Sequence, residues 1–260
     1  MKYTEELGLL KDNVKDIYDR AMKEVISSSF KDEQDIVTST DLFIEKELVK
    51  SIKAKFKDDF FLTEEYYNLA ELSNRTWIID PIDGTSNYAS GLSEYVIQIA
   101  LYDEGEIQLS YIYYPGQREE YYAIKGVGAY LNGIRYFIDD RKETTFMISM
   151  VGITHKTKDK YYYMKILDMA IKNKYKMRML GSIGLELALM SNGIFDLFYS
   201  NVTNIWDLYP GILLLREAGA TLLNELGLIY QLGDKNLFVA KNEMVVNFLR
   251  ERIFVNEKTR

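Results

Sequence analysis

The chain has 260 residues, 47% of them hydrophobic, with 3 prolines and no cysteine. Such a length and apolar content suit one large domain or two closely packed halves and exclude a disordered chain, while the missing cysteines exclude disulfides and thiolate metal ligands and fit a cytoplasmic setting. A formal net charge of -7, from 32 basic and 39 acidic residues, excludes nucleic-acid binding through a broad basic surface, so any phosphate site must create positive potential locally.

Residues 1–13 mix charges with leucines and no apolar run is long enough to span a bilayer, so neither a signal peptide nor a membrane span is expected. Leu7, Leu10, Val14, Ile17, Ala21 and Val25 recur at spacings of three and four and predict an amphipathic helix over residues 4 to about 28. A second helix is predicted from Thr40 or Asp41, because Ile44, Leu48, Ile52 and Phe56 recur every fourth residue. Asp41 then lies in the first turn, where the helix dipole favours a carboxylate. Residues 60–63 and 77–79 are short, apolar and β-prone, and both run straight into acids. Residues 95–102, 107–114 and 119–124 predict a strand series broken by Asp-Glu-Gly and Pro-Gly turns. Residues 126–133 read as a glycine-punctuated loop without the βαβ context of a dinucleotide fingerprint.

The second half alternates: strand 146–151, helix 158–174, strand 176–180, helix 182–192 stopped by Gly193, and strand 194–199. A helix over 207–218 stopped by Gly219 leads into strands at 221–223 and 237–240. Pro210 is placed in the first turn of that helix, where its missing N–H costs little. A break near residue 140 divides the chain into 1–140 and 141–260, two tightly packed halves of a mixed α/β protein with layered helices and sheets. Of the 21 tyrosines, Tyr111, Tyr113, Tyr114, Tyr121, Tyr122 and Tyr161 to Tyr163 fall in strand and helix patterns that predict core packing or a subunit interface. His155, the only histidine, is given no role.

Four places join a strand end or helix start to a carboxylate: Thr40-Asp41, Thr63-Glu64-Glu65, Asp80-Pro81-Ile82-Asp83-Gly84-Thr85 and Trp206-Asp207. Taken alone, Asp41 reads as a helix cap and Glu64 and Glu65 as solvated turn residues. Asp80 and Asp83 are harder to dismiss, although Asp, Pro and Gly also mark ordinary turns. A hard divalent cation takes oxygen ligands, and Mg²⁺ is held by a few carboxylates together with water and substrate phosphate. Two ions about 3.5–4 Å apart can activate water and stabilise a leaving oxygen. Asp80 and Asp83, linked through Pro81, suit such a pair, and Ile82 can add its main-chain carbonyl. Gly84 and Thr85 offer unhindered amides to a phosphate.

Trp77-Ile-Ile-Asp-Pro-Ile-Asp-Gly-Thr-Ser-Asn87 resembles the signature of the inositol monophosphatase family. Trp206-Asp207 through Glu217-Ala218-Gly219 resembles its second signature. Asp35-Ile-Val-Thr-Ser-Thr-Asp41, Glu64-Glu65, Gly126-Val-Gly-Ala-Tyr-Leu-Asn-Gly133 and Gly181-Ser182 match in the family's order. The resemblance implies an α-β-α-β-α sandwich of the inositol monophosphatase and fructose-1,6-bisphosphatase type. It implies a magnesium-dependent, lithium-sensitive phosphatase acting on a small phosphorylated metabolite, with two or three Mg²⁺ ions, Mn²⁺ as a substitute, and a homodimeric state. Glu64, Asp80 and the Ile82 carbonyl then hold one ion, and Asp80, Asp83 and Asp207 a second. Glu64 reaches a third ion through water. Thr85, backed by Asp41, orients the attacking water, and the Gly84 and Thr85 amides hold the phosphate. Ser200 stands where inositol-preferring members often carry a glutamate, so an inositol preference is not implied. Arg178 and Ser182 are further candidates for substrate contact, Arg178 reading equally as a solvated surface residue; Lys31 does not align cleanly with the family's basic position. The alternatives are a 3′-phosphoadenosine 5′-phosphate nucleotidase, a fructose-1,6-bisphosphatase, or a metal-stabilised scaffold without activity.

Overall fold

A computed structural model describes residues 2–23, 28–30, 36–68, 71–138, 145–151, 160–202 and 204–254. Lys31, Asp35, His155 and the break expected near residue 140 lie outside these residues. Helix α1 (Thr4–Ala21) buries Leu10, Val14, Ile17 and Ala21 as the spacing predicts. It stops at Ala21 rather than near residue 28. Ser28–Phe30 instead forms β1, antiparallel to β2 (Ile36–Thr38). Val25, placed on the helix stripe, is outside the described residues. Helix α2 (Ser39–Lys55) buries Ile44, Leu48 and Ile52. Its start is a capping box: Thr38 Oγ1 accepts from the Asp41 amide at 3.3 Å, and Asp41 Oδ2 accepts from the Thr38 amide at 2.9 Å.

Strands β3 (Phe60–Thr63) and β4 (Thr76–Asp83) run parallel, and a short helix α3 (Thr85–Ala89) follows β4. The expected strand series is present as β5 (Val96–Asp103), β6 (Glu106–Tyr114) and β7 (Glu119–Ile124), and its members pair antiparallel. The stretch expected as a loop carries β8 (Gly128–Leu131) and leads into β9 (Ile134–Tyr136). Their two-residue turn is Asn132-Gly133, with φ of 50° and 84°, the hairpin geometry that Asn-Gly favours. The result is a seven-stranded sheet ordered β3-β4-β5-β6-β7-β8-β9.

The second half supplies β10 (Met147–Met150), α4 (Tyr161–Asn173), β11 (Lys176–Arg178), α5 (Ile183–Ser191), β12 (Leu197–Ser200), α6 (Ile205–Ala218), β13 (Thr221–Leu223), β14 (Leu237–Ala240) and α7 (Glu243–Arg252). Its five strands are ordered β11-β10-β12-β14-β13. Helix α6 begins two residues before its expected start, so Pro210 lies inside the helix and not in its first turn. Its carbonyl accepts from the Ser110 hydroxyl of β6, which ties this part of the helix to the sheet. Helix α7 went unpredicted, because only Val245, Val246 and Leu249 are fully buried in a short segment capped by Asn242.

Alternation along β4 explains the layering. Trp77 and Ile79 pack with Leu10, Ile44 and Leu48 of α1 and α2, whereas Ile78 faces the other way, among Leu187 of α5 and Ile212 of α6. Phe198 and Val239 of the second sheet close that central layer, and α4 and α7 cover its far side through Ile166 and Leu249. This is the α-β-α-β-α sandwich. Tyr111, Tyr113, Tyr114, Tyr121, Tyr122 and Tyr163 are buried within it, while Tyr161 is exposed. Among the described residues, no helix is long and apolar enough to cross a membrane.

Candidate active site

Strand β4 is buried along its whole length because Trp77, Ile78 and Ile79 are packed on both faces. Asp80 pairs with Gln98 and Asp83 with Val96, so three steps along β4 match two along β5. This bulge spans Pro81, which has no N–H to offer a ladder. Residues three apart on a regular strand point to opposite faces. The extra residue places Asp80 and Asp83 on the same face, the one turned towards α5 and α6.

Asp207 reaches that face from the first turn of α6. Carboxylate oxygens of Asp80, Asp83 and Asp207 all lie within 4.8 Å of one another. Asn204 Nδ2 donates to Asp207 Oδ2 at 3.0 Å. Asp83 is held by the start of α5: its Oδ2 accepts from Ser182 Oγ at 2.6 Å and from the Gly184 amide at 2.5 Å. Burial pushes the Asp83 carboxyl up to about 6, against the pull of these donors. Asp80 is raised well above the usual carboxylate range by burial first, then by the negative charges of Glu64, Asp83 and Asp207. Its Oδ1 is buried without a hydrogen-bond partner. An acceptor-only group left this way, among other acids, is the environment a hard cation relieves.

Glu64 follows β3, with its amide donating to the Ile79 carbonyl at 3.1 Å, which brings it alongside Asp80. Glu45, unnoticed in the sequence, secures this loop. It is fully buried on α2, accepts from the Thr63 hydroxyl, and takes the Glu65 and Tyr66 amides at 2.9 Å each. Its one sequence signal is its place four residues after Asp41, on the same helix face.

The Thr85 hydroxyl lies 2.9 Å from the Ile82 carbonyl and 3.2 Å from Asp41 Oδ1, so its single proton serves one acceptor at a time. Asp41 is fully buried, and burial raises its carboxyl against hydrogen bonds from Thr38 and Thr85. It is therefore both the third-residue partner of Thr38 in the capping box of α2 and the group behind Thr85. Gly84, between Asp83 and Thr85, has φ of 97°, which a side chain would strain.

Three other candidates lie elsewhere or are occupied. The Ser182 hydroxyl donates to Asp83 and accepts from the Leu185 amide, so both its functions serve the protein interior. Ser200 is fully buried and its hydroxyl accepts from the Val202 amide at 3.1 Å, shaping the loop that leads to α6. Arg178 is exposed on the edge strand β11 and donates to the Met177 carbonyl at 2.8 Å. Beneath the acids lie Gln98 and Glu186, both fully buried and both missed, since isolated polar residues in apolar runs carry no positional signal.

A sequence profile described as the inositol monophosphatase family matches residues 5–251. The chain belongs to the inositol monophosphatase family. It is a phosphoric monoester hydrolase by that membership. It is 32% identical over 212 residues to a fructose-1,6-bisphosphatase/inositol-1-monophosphatase of Thermotoga maritima, covering 82% of this chain and 80% of that one. Its fold superposes on the extragenic suppressor protein suhB from Bartonella henselae with a TM-score of 0.85, at 25% identity, covering 99% and 100% of the two chains. An IMPase/NADP phosphatase complexed with Mg²⁺ and phosphate shares the fold at a TM-score of 0.80 and 23% identity, covering 100% of each chain.

Proposed function

We propose that this phosphatase is magnesium-dependent and hydrolyses the phosphate monoester of a small metabolite of the inositol 1-phosphate type. One observation carries the reading: Asp80, whose buried Oδ1 has no hydrogen-bond partner, converges with Asp83 and Asp207. Glu64, Asp80 and the Ile82 carbonyl would hold one Mg²⁺; Asp80, Asp83 and Asp207 would hold a second. The Ile82 carbonyl has two lone pairs, so accepting from Thr85 leaves one free. When bound, magnesium supplies Lewis acidity towards water and the phosphoryl oxygens.

The chain's own groups handle the proton and the orientation. With the Thr85 proton directed to Asp41, a lone pair of Thr85 Oγ1 is free to accept from a water. Burial makes Asp41 the more basic partner in that relay. As the water oxygen bonds to phosphorus, the ester P–O bond breaks on the opposite side. The relay takes one of the water's protons, and the leaving oxygen takes a proton from solvent water to depart as an alcohol. The amides of Gly84 and Thr85 are assigned to the phosphate. Ser182 and Ser200 use their hydroxyls internally, so specificity on the leaving-group side is not assigned to them. A sugar bisphosphate is the second reading, favoured by the Thermotoga maritima relative. Lithium sensitivity, a homodimer and a cytoplasmic setting belong to the same proposal.

The test is phosphate release, with and without Mg²⁺, from inositol 1-phosphate, fructose 1,6-bisphosphate, 3′-phosphoadenosine 5′-phosphate, NADP and glycerol 2-phosphate, with Asp83→Asn as control. Mg²⁺-dependent release that disappears in the variant supports the reaction, and the ranking selects the substrate. Release of equal rate in chelator would sink the magnesium reading.

A further inference from the structure

Gln98 is a fully buried amide in the middle of β5, in register with Asp80 on β4. Directly opposed residues share a face, so its side chain rises beside Asp80 into the space below α5 and α6. Its Nε2 lies 3.4 Å from Asp80 Oδ2 and 3.3 Å from the main-chain carbonyl of Asp207. The Asp207 main-chain carbonyl only accepts, which fixes the nitrogen on that side and the oxygen on the other. That oxygen, buried without a hydrogen-bond partner, lies against Gly184 of α5: a Cβ there would come within 2.6 Å of it. Gly184 is the residue whose amide holds Asp83.

The same side chain thus meets the strand that carries Asp80, the helix start that carries Asp207, and the helix start that fixes Asp83. We propose that Gln98 is the positioning residue that sets the separation of the three acids for a divalent cation. It holds Asp80 Oδ2 through one lone pair and leaves Oδ1 wholly to the cations. The amide's neutrality matters. A lysine or arginine here would place a fixed charge where the cation belongs, and a carboxylate would add a further negative charge to Asp80, Asp83 and Asp207. An amide donates to Asp80 with neither effect. Gly184 is the complementary part of the device, since a side chain at that position would push Gln98 off both acceptors.

The inference rests on the magnesium-dependent reading, and its test separates the two. Mn²⁺ binding to the metal-free protein is followed by electron paramagnetic resonance without substrate, alongside melting of the metal-free form. Gln98→Met keeps the length of the side chain and removes both donors. Removing a group that supports metal ligands weakens binding by about 10–100-fold. The expected result is a Mn²⁺ dissociation constant at least about tenfold higher, a raised half-activating Mg²⁺ concentration, and a turnover that recovers at saturating metal. Gln98→Ala, which adds no bulk beside Gly184, must weaken Mn²⁺ binding to a similar degree. Wild-type affinity in Gln98→Met overturns the proposal, as does a loss confined to the alanine variant, which would make the residue packing alone. A wild-type protein that binds no Mn²⁺ overturns the cation reading itself.

Discussion

Glu186 offers the sharpest test of the electrostatics beneath the site. It is fully buried on α5; Oε1 accepts from the Leu180 amide at 2.7 Å and Oε2 has no hydrogen-bond partner. Ser149 is near enough to pull its carboxyl down somewhat but makes no hydrogen bond of good geometry, and the nearby Asp83 charge pushes the other way. Burial dominates and lifts Glu186 from its ordinary 4.5 to about 8. A carboxyl raised in the folded state holds its proton where the unfolded chain has released it. Its stabilising contribution is complete below about 4.5 and is lost as pH rises through about 8. Each pH unit in that window removes about 1.4 kcal/mol, so about 3–4 kcal/mol disappears between roughly pH 5 and pH 8. Glu186→Gln keeps the acceptor for Leu180 and cannot titrate. Urea unfolding of both proteins in chelator, at pH 5, 6, 7 and 8, should show the wild type losing this much relative to the variant. Parallel pH profiles would refute the assignment of an uncompensated buried glutamate.

Four further expectations follow from the same geometry. Asp80→Asn removes the acid with the unpartnered oxygen, so the metal-free protein should gain about 1–3 kcal/mol in urea unfolding while Mg²⁺ no longer raises its melting temperature. In the wild type that Mg²⁺-induced rise should grow between pH 5.5 and pH 7.5, because Asp83 releases its proton near 6 and the cation no longer competes with it. Thr85→Val should lower turnover by about 10²–10⁴-fold in a phosphate-release assay, and Thr85→Ser should retain most of it. Glu45→Ala strands the Thr63 hydroxyl and the Glu65 and Tyr66 amides, costing about 2–4 kcal/mol in chemical denaturation and raising the Mg²⁺ needed for half-activation through displacement of Glu64; unchanged stability would remove Glu45 from the site.

Elements read well from sequence where one periodicity prevailed over enough residues. The strand at residues 60–63 and the strand at 119–124 were bounded by charged or turn residues and have the expected limits. Errors cluster where two local preferences compete. The end of α1 falls short of residue 28 because Ser28 to Phe30 pair with β2, a partner that the helical spacing of Val25 does not reveal. The β8–β9 hairpin was hidden by its glycines, although Asn132-Gly133 held the clue. Helix α7 has a buried face of three residues, too narrow for a pattern of that length to stand out.

The site divides along a different line. Asp80, Asp83 and Thr85 are legible because a strand end, a proline and a glycine announce them within six residues, and Asp207 because a second compact signature does so. Even there, spacing alone puts Asp80 and Asp83 on opposite faces; the bulge at Pro81 unites them, and the bulge depends on pairing with β5. Glu45 and Gln98 were silent because their partners are distant in sequence, and Glu186 because a lone acid in an apolar helix gives no sign of what lies around it. Glu45 reaches 18 to 21 positions away, and the Asp207 carbonyl that Gln98 meets is 109 positions on. Such residues have no short motif to belong to. They are recognisable once the fold shows what each one holds: Glu45 the loop after β3, Glu186 the Leu180 amide, and Gln98 the Asp80 carboxylate and the Asp207 carbonyl. A buried polar side chain without a hydrogen-bonding role is costly, so its presence beneath a metal-type carboxylate cluster is itself an argument that it sets the position of that cluster.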